Sequence, residues 1–227
     1  MKKSRFGSAI VILLLSVIAS SAFQTGNEKS STEGYKKKYT FTENWFTDRI
    51  PYWTQFLSEF KGKPDLRYLE IGTFEGRSSL WLLENILTHP SSKLIVIDGF
   101  RENNYKTFIS NINLSGEPDK FKVLSGLSTG KIRELPFNSI DIAYIDGSAK
   151  GIVMLSDLVN TWDLLKAGGI IICSRYSLDE NIRKAFALQP GDPGPFEAID
   201  TFVKMYNPYI KVLAFQENEV FIRKIRQ

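Results

Sequence analysis

The sequence predicts an α/β fold on a mostly parallel sheet, and three observations predict it. From Leu66 onward, short apolar runs alternate with segments of helical spacing. That alternation marks parallel strands covered on both faces. Two of the runs end in a carboxylate, at Asp98 and at Asp146. The first run, Leu66 to Ile71, is followed by Gly72, Thr73, Phe74, Glu75, Gly76 and then an apolar segment after Ser78 and Ser79. A strand, a tight glycine turn and a helix start in that order hold a nucleotide-like ligand at the carboxyl ends of open sheets.

The elements follow in order. Trp45 to Phe60 carries Trp45, Phe46, Ile50, Trp53, Phe56, Leu57 and Phe60 at mostly helical spacing. It predicts one or two helices packed on the sheet or over its crevice. Strand one is Leu66–Ile71, followed by a helix from Ser79 to Leu87 for which Ser78 or Ser79 is the expected cap. Strand two is Lys93–Ile97, closed by Asp98, with a helix near Tyr105–Ile112 after it. Phe121–Leu124 is strand three, then Ser125 to Ser128 and a short helix to Glu134. Ile140–Ile145 is strand four, and a helix over Ile152–Leu165 is closed by Lys166-Ala167-Gly168-Gly169. Ile170–Cys173 is strand five. Ser177–Pro195 is an insertion bearing Pro and Gly, Phe196–Tyr206 a helix, and Ile210–Ala214 with Val220–Lys224 a closing hairpin.

Composition sets the outer bounds. The 227 residues are 43% hydrophobic and 13% aromatic, enough for one packed domain. The formal charge is +4, but Lys2, Lys3 and Arg5 supply most of it, so no nucleic-acid partner is inferred. The one cysteine, Cys173, excludes an internal disulfide and reads as a core residue. The one histidine, His89, stands before Pro90 in a predicted loop, which excludes a histidine-rich metal site or a serine triad.

The N-terminus reads as a separate unit. Residues 1–22 have a basic start, an apolar stretch from Ala9 to Ala19 and small residues at Ser20, Ser21 and Ala22. This is the pattern of a signal peptide or, as the alternative, an N-terminal anchor. Residues 23–39 read as a flexible linker whose Lys36-Lys37-Lys38 run offers a possible membrane contact, and 40–227 as the domain. Either reading of the first segment places the domain outside the cytosol or on a membrane.

The chemistry concentrates in two stretches. The first turn is not the G-x-G-x-x-G dinucleotide fingerprint, because Phe74 stands where its second glycine belongs. Its glycines instead follow a Glu70-x-Gly72-x-x-x-Gly76-x-Ser78 spacing with an acidic residue near the strand end. Gly72 supplies backbone angles closed to other residues, and Gly76 is expected to let the main chain approach the ligand. The carboxylate of Asp98 can accept both hydroxyls of a ribose. Gly126 and Ser128, after strand three, fall where an adenine edge would lie. The second stretch runs Asp146-Gly147-Ser148-Ala149-Lys150, then a helix, then Leu164-Leu165-Lys166-Ala167-Gly168-Gly169.

Together these stretches resemble the class I S-adenosylmethionine-dependent methyltransferases, and in particular methyltransferase family 24, relatives of the catechol O-methyltransferases. The resemblance spans about Leu66 to Tyr176. It implies a Rossmann-like sandwich, a mostly parallel seven-stranded sheet with an antiparallel last strand, and S-adenosylmethionine as cofactor. By that likeness the cofactor-binding candidates are Glu70, Gly72, Thr73, Gly76, Ser78, Asp98, Gly126, Ser128 and Asp146. Two departures bear on function. Ala149 replaces the family's histidine, and Ser174-Arg175 replaces its Asp-Asp pair before Tyr176. An oxygen-ligated magnesium ion wants several carboxylates, so the expectation is no metal. The remaining catalytic candidates are Asp146, Lys150 and Tyr176, with Asp146 preferred as an orienter of the cofactor's amine. Arg175 is the candidate to hold an anionic acceptor. Two functions stay open: methyl transfer to a small-molecule or glycan-like acceptor, or a domain that binds the cofactor without catalysis.

Overall fold

The computed structural model describes residues 38–177, 180–216 and 218–226. The expected signal segment and most of the expected linker lie outside the described residues. Lys38 and Tyr39, assigned to that linker, belong instead to the domain. Tyr39 is buried, and its hydroxyl donates to Glu84, which also pairs with Lys38 at 3.0 Å.

The sheet contains β1 (Arg67–Ile71), β2 (Lys93–Asp98), β3 (Phe121–Ser125), β4 (Ile140–Ile145), β5 (Leu165–Cys173), β6 (Ile210–Gln216) and β7 (Glu219–Lys224). The strand order is β3-β2-β1-β4-β5-β7-β6. β1 to β5 pair in parallel, and β7 runs antiparallel to both β5 and β6. This is the seven-stranded sheet with an antiparallel last strand expected from the sequence. β1, β2 and β4 are near-continuous apolar runs because helices cover both faces.

The helices are α1 (Ile50–Leu57), α2 (Arg77–Asn85), α3 (Glu102–Ser115), the short α4 (Ser128–Lys131), α5 (Gly151–Leu164), α6 (Glu180–Ala185) and α7 (Pro195–Tyr206). Strand alternation sends Leu69, Ile71, Ala143 and Ile145 to one face, where Met154, Leu158 and Trp162 of α5 and Ile199 and Phe202 of α7 close the core. Tyr68, Glu70 and Tyr144 point to the other face. There the aromatic stripe of α1 packs, with Trp53 edge-on to Tyr144 at 4.9 Å and to Trp81 at 6.1 Å. The stripe is therefore mostly core. Its N-terminal end, Trp45, Phe46 and Arg49, lines the crevice, so both roles expected of the segment are filled.

Two boundaries differ from expectation. β5 begins at Leu165, the last residue of the expected helix, and takes in the Lys166–Gly169 segment expected to close it. Leu165 pairs with Ile140, and the register shifts before Ile142. Lys166 is 2.9 Å from Asp141, which ties the irregular start of the strand down. The insertion after β5 is not plain loop: it carries α6, and Ile182 and Ala185 of this helix and Phe186 after it line the crevice.

Candidate active site

The strand order reverses between β1 and β4, so the chain leaves their carboxyl ends in opposite directions and opens a crevice there. The crevice holds about 850 Å³. Gly72, Thr73, Phe74 and Ser78 from the glycine turn, Asp98 from β2, Asp146 and Gly147 after β4, and Arg175 after β5 all line it.

Both glycines of the turn are required by close protein contacts. Gly72 has φ +86°, and a Cβ there would stand 2.6 Å from the Gly147 Cα. Gly76 also has φ +86° and caps α2 in the left-handed region; its Cβ would meet Phe108 of α3 at 2.9 Å. Gly76 thus makes room for a helix and does not line the crevice, contrary to the sequence-based expectation. Ser78 and Ser79 are not caps either. They lie inside the first turn of α2, and both hydroxyls donate to Glu70.

Glu70 is turned away from the crevice. Its carboxylate is fully buried and accepts from Ser78, Ser79 and the Tyr68 hydroxyl, the last at 3.0 Å. Burial pushes its pKa up to about 7, and the three hydroxyls pull part of that back. It stands outside the crevice lining, and its three hydroxyl partners make it a brace for the turn. Ser79 extends the brace to Thr73, 3.1 Å away.

Asp98 does stand on the rim. One oxygen accepts from the Phe74 N–H at 2.9 Å, the other from the Phe100 N–H at 2.7 Å. A carboxylate has about four acceptor positions, so these two bonds fix its direction and leave capacity for hydroxyls. Gly126 and Ser128 do not line the crevice. Ser128 is turned to Asp157 of α5, whose pKa burial raises to about 6. Leu127 between them takes the crevice position.

Asp146 lies between two guanidinium groups. Arg175 Nε is 2.8 Å from its Oδ1, Arg49 Nη1 is 3.9 Å from Oδ2, and the Tyr144 hydroxyl donates to Oδ2 at 3.1 Å. The Arg175 contact brings charges together without hydrogen-bond alignment. Neither Asp146 Oδ1 nor Arg175 Nε has a hydrogen-bond partner among the described residues. Arg175 also donates from Nη2 to the Asp146 carbonyl at 3.1 Å and lies over the Phe186 ring at 5.1 Å. Its φ is +62°, a left-handed value that is strained for a side chain of this size.

Lys150 and Tyr176 are not brought to this group. Lys150 is exposed just before α5, where the chain has turned away from the strand end. Tyr176 packs against Phe196 and Phe215 and donates its hydroxyl to Asp200 at 2.9 Å, away from the crevice. Of the three catalytic candidates only Asp146 lines the site. Among the described residues no cluster of three His, Cys, Asp or Glu side chains could hold a metal ion.

Sequence reasoning missed the polar group beneath Asp146. Glu219 of β7 is buried, pairs with Arg49 at 2.8 Å and accepts from the Trp53 indole at 2.8 Å. Arg49 also donates to Tyr144 and to Ser174. Burial pushes Glu219 up to about 7, with Arg49 and Trp53 pulling back. Burial also raises Tyr144 well above its ordinary value, with Asp146 and Glu219 adding to the rise, so it stays a phenol. Strand alternation from Asp146 would have found Tyr144. Arg49 and Glu219 are 170 residues apart, and no local signal links them.

The comparisons agree with this architecture. The family model described as a methyltransferase domain, of methyltransferase family 24, matches residues 69–174. No curated protein matches the chain. Among solved structures, the cofactor-bound Rv0187 from MTB aligns with a TM-score of 0.62 at 15% identity, covering 88% of this chain and 89% of that one. The Bacillus cereus O-methyltransferase in complex with S-adenosylhomocysteine (SAH) aligns at 0.58 and 18% identity, covering 86% and 87%. The SAH-bound Podospora anserina methyltransferase PaMTH1 aligns at 0.55 and 17%, covering 90% and 99%. Likeness at such identities establishes the fold. The fold is therefore that of the class I methyltransferases, and residues 69–174 match a methyltransferase domain.

Proposed function

We propose that the protein transfers a methyl group from S-adenosylmethionine, without a metal ion, to an oxygen of a small-molecule or glycan-like acceptor. The observation that carries this reading is the pair of carboxylates across the crevice. Asp98 has spare acceptor capacity on one side, and on the other Asp146 has an oxygen held only by an unaligned charge contact with Arg175. Hydroxyls of a ribose suit the first, and an ammonium suits the second. Phe100 and Leu127 offer apolar walls beyond Asp98.

When bound, the cofactor supplies a methyl group activated on a sulfonium. The chain's own residues then orient and screen. Trp45, Phe46, Phe74 and Phe186 line the crevice with rings. Arg49 and Arg175 bring positive charge to the acceptor end, which favours an ionised acceptor oxygen. That matters because the one carboxylate there, Asp146, is already committed to cations. A guanidinium 2.8 Å from Asp146 supports the absence of a metal: it already supplies positive charge where a bound cation would have to sit.

A second reading has its own support. Lys150 and Tyr176 stand outside the crevice, so two expected proton acceptors are missing and a cofactor-binding domain without catalysis fits as well. The test for the function is calorimetric titration of the protein with SAH, followed by a radiolabelled-methyl transfer screen with and without chelator. Binding with transfer that chelator leaves intact supports the enzyme. Binding without transfer supports the second reading, loss of transfer on chelation overturns metal independence, and a folded protein that binds nothing ends both. The N-terminal segment 1–22 is proposed as an export signal or anchor on its sequence alone. N-terminal sequencing of the mature protein checks this.

A further inference from the structure

Arg49 and Arg175 both reach Asp146, but they are held very differently. Arg49 is fastened by three groups other than Asp146: Glu219 at 2.8 Å, Ser174 at 3.1 Å and the Tyr144 hydroxyl. It sits within the buried floor. Arg175 has no such second carboxylate among the described residues. Its polar contacts there are to Asp146 alone, one an unaligned charge contact at 2.8 Å and the other to the main-chain carbonyl at 3.1 Å. Its guanidinium also lies over the Phe186 ring, on the insertion that follows β5. A ligand ammonium that pairs with Asp146 therefore meets one fixed cation and one exchangeable cation.

We propose that Arg175 is a resident stand-in for the cofactor's ammonium at Asp146, and that giving up this carboxylate turns Arg175 into the anion-binding site of the acceptor. This rests on the methyltransferase reading above. While Arg175 pairs with Asp146 its charge is spent. Once Asp146 faces a second cation, the guanidinium keeps full charge at the acceptor end of the crevice, beside Phe186, Ile182 and Asn218. An anionic oxygen group, carboxylate or phosphate, on an apolar body fits that surrounding by a two-pronged contact. The site thus forms only with the cofactor in place. The left-handed backbone at Arg175 marks a residue held against local preference, a strain that clusters at ligand sites.

The test uses the full-length wild-type protein and three probes in isothermal titration: SAH, methylthioadenosine, which lacks the amino-acid ammonium, and an aromatic anion. Benzoate and phenyl phosphate serve as the anion in separate arms, distinguishing carboxylate from phosphate. Saturating SAH is expected to tighten binding of at least one anion by about tenfold or more, and saturating methylthioadenosine to leave it unchanged. Arg175→Gln is expected to bind SAH roughly three- to tenfold tighter, since Asp146 is no longer claimed, to bind methylthioadenosine as before, and to lose the SAH-dependent anion gain. Equal anion affinity with and without SAH in the wild type overturns the inference, whatever the variant does. So does SAH affinity that is unchanged or weaker in a folded Arg175→Gln protein. Failure of the wild type to bind SAH at all is the separate result that removes the methyltransferase reading, and the inference with it.

Discussion

Replacing Glu70 by Gln changes how stability depends on pH, and the magnitude follows from burial. The carboxyl is fully enclosed, and its pKa rises from the ordinary 4.5 to about 7 on folding. A group whose folded pKa is raised takes up a proton on folding. Its contribution is fully present below pH 4.5, declines as pH rises towards 7 and is gone above it. A pKa difference of one between the folded and unfolded chain is worth about 1.4 kcal/mol, so the decline attributable to Glu70 is about 3 kcal/mol. Gln keeps the shape and an acceptor oxygen but never ionises. It loses one of the two oxygens that receive Ser78, Ser79 and Tyr68, at a cost of about 1–2 kcal/mol. The variant is therefore expected to be less stable than wild type at pH 5 and equal or more stable at pH 8. Glu219, raised to about 7 as well, gives both proteins a shared pH dependence over the same window. Urea unfolding followed by tryptophan fluorescence at the two pH values measures the difference. If the stability gap between variant and wild type is the same at pH 5 and pH 8, Glu70 is not a buried, proton-binding brace and the reasoning fails.

Three further outcomes are expected. Asp98→Ala weakens SAH binding by about 1–3 kcal/mol, the cost of leaving ribose hydroxyls unpaired, and calorimetry with unchanged affinity would remove it from that role. Gly72→Ala destabilises the fold by about 2 kcal/mol or more in thermal unfolding, because φ +86° is strained for alanine and the new Cβ would stand 2.6 Å from the Gly147 main chain. Glu219→Ala costs about 3–5 kcal/mol by leaving Arg49 buried without its carboxylate; Trp53 loses its indole acceptor, so its emission maximum should shift, and a spectrum like wild type would mean that the bond at 2.8 Å is absent.

The chain's periodicities fixed what is local. The alternation of apolar runs and helical segments determined the sheet, and the strand ends at Asp98 and Asp146 were legible because an acidic residue closes an otherwise apolar run. Strand-to-helix turns with Gly72 were legible for the same reason: the needed backbone angles mark the residue type. What a side chain faces was not legible. Glu70 and Asp98 both stand at or near strand ends in the sequence, yet one is sealed behind α2 by three hydroxyls and the other is aimed at the crevice by two main-chain N–H groups. Gly76 was readable as a glycine that must be a glycine, but only Phe108 of α3 shows that the clearance serves a helix.

The floor of the site was decided by tertiary structure alone. Arg49 and Glu219 come from opposite ends of the domain, and their charges meet only because β7 inserts between β5 and β6 and α1 folds across it. Tyr176 and Lys150 follow strand ends in the sequence, but the chain turns them out to Asp200 and to solvent. Local pattern fixes backbone angles and which face of an element is apolar. The pairing of buried charges depends on which distant elements close over them, and that is information no window of sequence contains.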